Sequence, residues 1–278
     1  MRTFLILLLL YVSCSGISQS INEHEKWEYQ VLHYWDNYNF EDPYVFLDGD
    51  IMLGYFSCLR NVPNQISNES IHQTLEKASK NNQIFSLFID TYRVYLLNSE
   101  SFFCNYEKYL AVTDFVINNE NISQSKKIDF ELEKTAICTN RIGHKATDFT
   151  VVDGNNDSIR LYDIKSDYLL VFFQNPNCGI CSETKEKLSN STVVNDMIDA
   201  GQLNVLSVCP YDEYESWIAS ECPEKWLNGF DKEQIINREH LYYFFESSSL
   251  YLLDKDKTIL MKDARLDFIE DYLKSPNP

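Results

Sequence analysis

The chain has 278 residues, and at about 150 residues per domain that predicts two domains. Its formal net charge is −18, and a surface so acidic repels phosphate backbones and anionic lipid, which argues against nucleic acid as a partner. A content of 44% hydrophobic and 14% aromatic residues supplies packed cores and rules out general disorder.

The 8 glycines and 7 prolines rule out collagen-like and low-complexity classes. No phosphate-cradling glycine loop, HExxH or GxSxG motif occurs. What remains is the chemistry of 8 cysteines.

The first residues, MRTFLILLLLYVSCSGISQS, place Arg2 before an apolar run from Phe4 to Val12, with small residues after it. This pattern predicts a secretory signal peptide over residues 1–18. The alternative is a lipoprotein signal with Cys14 as the lipidated first residue, a lipid anchor. The apolar run is about half of what a spanning helix needs, and no later run approaches one, so no transmembrane span is expected. Export permits disulfides to persist.

Residues 19–140 are expected to form a helical domain. Trp27, Val31, Tyr34, Trp35 and Tyr38 recur at three- and four-residue steps, as do Met52, Tyr55, Phe56 and Leu59. Pro63 closes the second stripe. Asn68 or Ser70 is expected to cap a helix carrying Ile71, Leu75 and Ala78. The stretch from Ile84 to Leu97 is apolar nearly all round and is expected at the centre of the bundle. Tyr106, Leu110 and Phe115 predict a further helix. Ser123 or Ser125 is expected to cap the last one, which should stop at Gly143.

Beyond Gly143 the period changes, and residues 141–278 read as an α/β domain. FTVVDGNNDSIRLYDI predicts a hairpin about an Asp-Gly turn. Tyr168 to Phe173 reads as a buried parallel strand, Ser182 to Ala200 as one helix, and Leu203 to Val208 as the next buried strand. Trp217, Ile218, Trp226 and Leu227 are assigned to a longer connection. LYLLDKDKTILM predicts two strands about a charged turn, and Arg265 to Lys274 a closing amphipathic helix. The predicted fold class is therefore an all-helical domain followed by an α/β domain whose central sheet has helices on both faces.

In NPNCGICSETKEKL, Cys178 and Cys181 form a C-x-x-C pair between the buried strand and a helix. Unpaired N–H groups and the positive end of the helix dipole favour a thiolate there. Cys178 is the expected nucleophile, with a pKa below that of a free thiol. Cys181, one turn deeper, is the expected resolving thiol that attacks the mixed disulfide. The competing readings are a permanent structural disulfide, or half of a zinc site completed by Cys209 and Cys222. The spacing of the latter two does not suit a zinc knuckle.

Cys209 and Cys222 are read either as a structural disulfide or as buried thiols without a bond. Cys58, Cys104 and Cys138 are placed on helices as buried thiols. Removal of Cys14 leaves seven cysteines, an odd number. The five histidines are scattered without metal-ligand spacing, so neither a metal nor a cofactor is expected.

GHKATDFTVVDG, YLLVFFQNPNCGICSETKEKL, LNVLSVCPYDEYESW and LYLLDKDKTILMKDARLDFIEDYL together resemble a TlpA-like thioredoxin-fold domain. The upstream part, with HYWDNYNFEDP and NRIGHKATDF, resembles a helical domain of unknown function that precedes such domains in Gram-negative envelope proteins. The resemblance implies a thiol–disulfide oxidoreductase of the periplasm or cell envelope, with Cys178 as nucleophile and Cys181 as resolving thiol. Its implied partners are envelope protein thiols or disulfides and a redox partner.

The chain departs from the family pattern in several places. Ser248 stands where thioredoxins carry a cis-proline, and a cis bond before serine costs ~2.5–4 kcal/mol, so a trans bond is expected. Phe172 replaces a buried acid. Asn177 replaces the aromatic residue before the first cysteine, and Gly179-Ile180 lacks the usual proline. These departures imply a slow or specialised enzyme. The rival implication is a binding or assembly module with the same scaffold and a structural disulfide.

Overall fold

The computed structural model describes residues 23–245 and 248–275. The segment read as a signal peptide, Cys14 included, lies outside the described residues. Six helices build the first region: α1 (Glu23–Leu32), α2 (Gly49–Arg60), α3 (Asn64–Ala78), α4 (Asn82–Tyr92), α5 (Tyr106–Asn118) and α6 (Gln124–Cys138). Their starts follow local chemistry. Asp48, Asn81 and Asn105 each accept a backbone N–H of the first turn they cap.

The expected apolar stripes face one core, which holds Trp35, Tyr55, Phe56, Ile71, Leu75, Phe88 and Tyr92. The expected central segment is α4, continued by a wide π-turn over Arg93–Leu97. Three expectations fail here. α1 stops at Leu32, so Tyr34, Trp35 and Tyr38 reach the core from the turns that follow rather than from one helix face. α3 starts at Asn64, directly after Pro63, rather than at Asn68 or Ser70. Ser70 is instead inside that helix, and its hydroxyl donates to the Val31 carbonyl at 2.9 Å. α6 stops at Cys138 rather than Gly143, because the backbone is already extended at Thr139 (φ −75°, ψ 129°), and Asn140 then turns into the left-handed region at φ 52°.

A hydroxyl network links the helices inside this core, although the buried Trp35 Nε1 has no hydrogen-bond partner among the described residues. The Tyr55 hydroxyl lies 3.1 Å from Ser70 Oγ, from Thr74 Oγ1 and from the Tyr92 hydroxyl, joining α2, α3 and α4. Buried Lys108 donates to the carbonyls of Leu59 and Val62 and so caps the end of α2.

The second region is a mixed sheet of strands β1 (Thr150–Val152), β2 (Ser158–Arg160), β3 (Tyr168–Phe173), β4 (Leu203–Cys209), β5 (Leu227–Phe230), β6 (Ser249–Asp254) and β7 (Ile259–Met261), in the order β2-β1-β5-β4-β3-β6-β7. β3, β4 and β5 run parallel, whereas β6 and β7 join antiparallel on one side and β1 and β2 on the other. Alternation along β3 separates two cores. Leu169, Val171 and Phe173 face one, and Leu170 and Phe172 face the other.

The second face is covered by α7 (Gly179–Ser189), α8 (Thr192–Asp199) and α11 (Leu266–Lys274), through residues such as Leu188, Val194 and Ile269. The short α9 (Tyr214–Ala219) leads toward β5, and α10 (Ile235–Arg238) packs Ile236 on the first face. The fold class is thus a helical region followed by an α/β domain with a mixed sheet.

Three elements differ from expectation. The single helix expected over Ser182 to Ala200 is two, because Ser191 Oγ accepts the Val194 amide at 3.2 Å and starts α8 afresh. The connection assigned around Trp226 and Leu227 contains strand β5. Its sequence LNGF has little strand character. Gly229 is required there: a Cβ would lie 2.2 Å from Val151 Cγ2. Cys104 lies in the connection before α5, and Cys138 is exposed, so neither fits the expectation of a buried helical thiol.

The two regions are joined by polar side chains. Lys262 is buried, and its ammonium donates to the carbonyls of Ala136 and Thr139 at 2.7 Å each and of Ile137 at 3.4 Å, capping α6 as Lys108 caps α2. Asn140 donates to the Leu241 carbonyl at 2.7 Å and accepts the Thr147 amide at 2.7 Å.

Candidate functional site

The C-x-x-C pair lies where β3 gives way to α7. The chain leaves the sheet at Gln174, whose amide still donates to the Val208 carbonyl at 2.9 Å. Asn175 then builds the turn. Its Oδ1 accepts the Asn177 amide at 2.8 Å, and its carbonyl accepts the Cys178 amide at 3.1 Å. Asn177, in the place of the family's aromatic residue, donates through Nδ2 to Glu213 Oε2 at 2.8 Å. The sequence offers no signal for this contact, because the two residues are 36 apart.

Cys178 is the N-cap of α7, and its sulfur accepts the Cys181 amide at 3.4 Å. The expected placement at a helix N-terminus is therefore observed. The two thiols differ sharply in exposure. Cys178 is half-buried, while Cys181 is 1% exposed and packs among Leu170, Phe172 and Leu188. Burial pushes the Cys181 thiol up to about 12, against a lowering contribution from the Asn175 amide, which donates to its sulfur at 3.5 Å.

Phe172 is fully buried in the same apolar cluster as Cys181, so the acid usual at that position has no replacement there. Tyr211, after β4, lies within electrostatic reach of both thiols, and burial raises its phenol above the ordinary tyrosine value.

Ser248 is half-buried just before β6. The peptide bond that precedes it involves Ser247 and lies outside the described residues. The register pairs Ser249 with Phe173, which sets Ser248 at the edge of the turn leading to the thiols. Ser248 and Ile180, an exposed residue between the two cysteines, line one cavity of about 580 Å³.

Cys209 and Cys222 do not pair. Cys209 is buried with Trp217 and Phe230, while Cys222 packs in the cluster of α7 and α8, and both are thiols. Of the two readings of that pair, the one without a bond is observed, with Cys209 buried and Cys222 half-buried, and burial pushes each thiol up to about 11. Among the described residues, no group of three His, Cys, Asp or Glu side chains could hold a metal ion. No helix among them is long and apolar enough to cross a membrane.

Residues 16–140 match the family described as a domain of unknown function, DUF5106. No match was found among curated proteins. Among solved structures, a thioredoxin-like protein from Bacteroides caccae is 31% identical, covers 98% of this chain and 98% of its own, and superposes with a TM-score of 0.84. The C-terminal domain of an uncharacterized protein from Bacteroides fragilis is 39% identical over 50% of this chain and 100% of its own, with a TM-score of 0.48. The thioredoxin domain of a thiol-disulfide oxidoreductase from Bacteroides vulgatus is 23% identical over 48% of this chain and 95% of its own, at a TM-score of 0.42. The end-to-end agreement with the first of these, in both helical and α/β regions, shows that the chain belongs to the thioredoxin-like proteins built with an N-terminal helical domain.

Proposed function

We propose that the protein is a thiol–disulfide oxidoreductase of the TlpA-like type, working in the periplasm or cell envelope, with Cys178 as nucleophile and Cys181 as resolving thiol. The observation that carries this reading is the asymmetry of the pair. One thiol is half-buried at a helix N-terminus; the other is 1% exposed, one turn deeper, with its proton held to about 12. The thiolate of Cys178 attacks one sulfur of a substrate disulfide, and the other substrate sulfur leaves as a thiolate that takes up a proton. Cys181 then loses its proton and attacks the Cys178 sulfur. The second substrate thiol is released and a Cys178–Cys181 disulfide remains. Two electrons and two protons pass to the substrate, and an external dithiol reductant must restore the pair.

Residues 1–18 are assigned to a cleaved signal peptide or, with Cys14 lipidated, to an anchor. Residues 19–140 are assigned to the helical domain and 141–278 to the thioredoxin-like domain. The left-handed turn at Asn140 supports a boundary at that point. The test of the chemistry is trapping. The Cys181→Ser variant should accumulate mixed disulfides through Cys178 in envelope extracts, and Cys178→Ser should not. Equal trapping by both variants sinks the assignment.

A second reading is supported by Phe172. With no acid in that place to take the Cys181 proton, resolution would be slow, and the domain would serve as a binding or assembly module with a structural disulfide. The reduction potential separates the two: a pair that ordinary dithiols cannot reduce belongs to the module.

A further inference from the structure

The segment that carries Ser248 is bracketed by contacts from the helical region. On its N-terminal side Phe245 packs against the core of the helical region, and its ring centroid lies 5.7 Å from that of Tyr106, the first residue of α5. On its C-terminal side the Ser249 hydroxyl donates to Asp263 Oδ1, and the Tyr106 hydroxyl donates to Asp263 Oδ2 at 3.2 Å. One carboxylate therefore receives a hydroxyl from each domain.

Asp263 sits in the left-handed region at φ 48°, a conformation that L-residues rarely adopt and that Asn and Asp tolerate best. Its neighbour Lys262 is fixed to the end of α6, so the Asp263 backbone is itself tied to the helical region. Arg265 extends the seam, with Nη1 donating to the Glu100 carbonyl at 3.4 Å.

This seam ends at a cavity that Ile180, from the turn between the two thiols, also lines. The cavity of about 580 Å³ is walled by Ile180 on one side and by Ser248 on another, with Asp263 and Arg265 behind, and the helical region contributes Ser99 and Glu100. A polypeptide is long enough to reach from half-buried Cys178 past Ile180 onto this wall, which is held in place from the helical region. A small disulfide reacts at Cys178 without reaching the wall.

We propose that the helical domain positions the wall of the cavity beside the C-x-x-C turn, with Tyr106 and Asp263 as the positioning residues, so that polypeptide disulfides are recognised by both domains together. This rests on the thiol–disulfide reading above, and it gives the helical domain a role in choosing the substrate.

The test uses the full reduced chain with Tyr106→Phe and Asp263→Asn. Two probes are compared: a short synthetic peptide closed by a disulfide, and a small aromatic disulfide. Amide hydrogen exchange over residues 242–252 is read alongside. Loss of one such hydrogen bond should lower kcat/KM for the peptide about tenfold, leave the small disulfide within about twofold, and weaken exchange protection in the segment. Equal losses on both probes, or an unchanged peptide rate, overturn the proposal. A wild type that reduces neither probe sinks the thiol–disulfide reading instead. The exchange measurement then still decides whether the helical domain holds the wall, and unchanged protection in both variants overturns it.

Discussion

The Cys178 sulfur caps the helix that carries Cys181, accepting the Cys181 amide at 3.4 Å. The nucleophile thereby also fills the structural place usually taken by Ser, Thr or Asp. Cys178→Ser should keep the cap and leave the stability of the reduced protein within about 0.5 kcal/mol, whereas Cys178→Ala should lose about 1 kcal/mol. Urea unfolding in excess reductant checks this, and equal stability of the two variants would remove the capping role.

Accessibility should order the thiols. With brief alkylation near pH 8, site-resolved mass spectrometry should find Cys138 and Cys178 modified first and Cys181 hardly at all, because Cys138 is exposed and Cys178 half-buried, while Cys181 is 1% exposed with its thiol held to about 12. Faster labelling of Cys181 than of Cys178 contradicts the assigned roles.

Two buried groups should give the reduced protein opposite pH slopes. Burial pulls Lys108 down to about 8 from 10.5. The unfolded chain then binds more protons in that window, so stability rises from about pH 7.5 toward 10 and falls as pH drops through 8. Cys181 is raised from 9.0 to about 12, so its contribution is complete below pH 9 and is lost as pH rises toward 12. Lys108→Met should flatten the lower limb and Cys181→Ala should reduce the upper one, as measured by urea unfolding in reductant at a series of pH values. Variants with the wild-type slopes would refute the corresponding assignment.

Lys262→Met should cost about 2 kcal/mol, because it strips three hydrogen bonds from the buried end of α6 and leaves carbonyls there without a donor. Hydrogen exchange at the end of α6 should rise in the same variant. A protein as stable as wild type would show that water replaces the ammonium without penalty.

Gly229→Ala should destabilise by about 1–3 kcal/mol through overpacking, since the new methyl group meets Val151 Cγ2 at 2.2 Å. Combining it with Val151→Ala should restore part of that loss in a double-mutant cycle. Strict additivity of the two substitutions would place the strain elsewhere.

Much of this protein was legible in the sequence because its signals are local. The apolar run Tyr168–Phe173, the C-x-x-C that follows it and the stripe Met52, Tyr55, Phe56 and Leu59 each occupy one short window and are found where expected, whereas the stripe from Trp27 to Tyr38 outruns α1, which ends at Leu32. What stayed hidden depends on partners far along the chain. β5, with its sequence LNGF, is a strand only because β4 on one side and β1 on the other complete its ladder. The separation of Cys209 from Cys222 follows from which cluster each enters, and spacing says nothing about that. Lys262 sits in a charged run that reads as a solvated turn, yet it is buried against carbonyls up to 126 residues away. Tyr106 meets Asp263 across 157 residues. Periodicity reports which face of an element is apolar, but a buried charge is tolerated only where another element presents groups to pair with it, and that pairing exists only once the chain has folded.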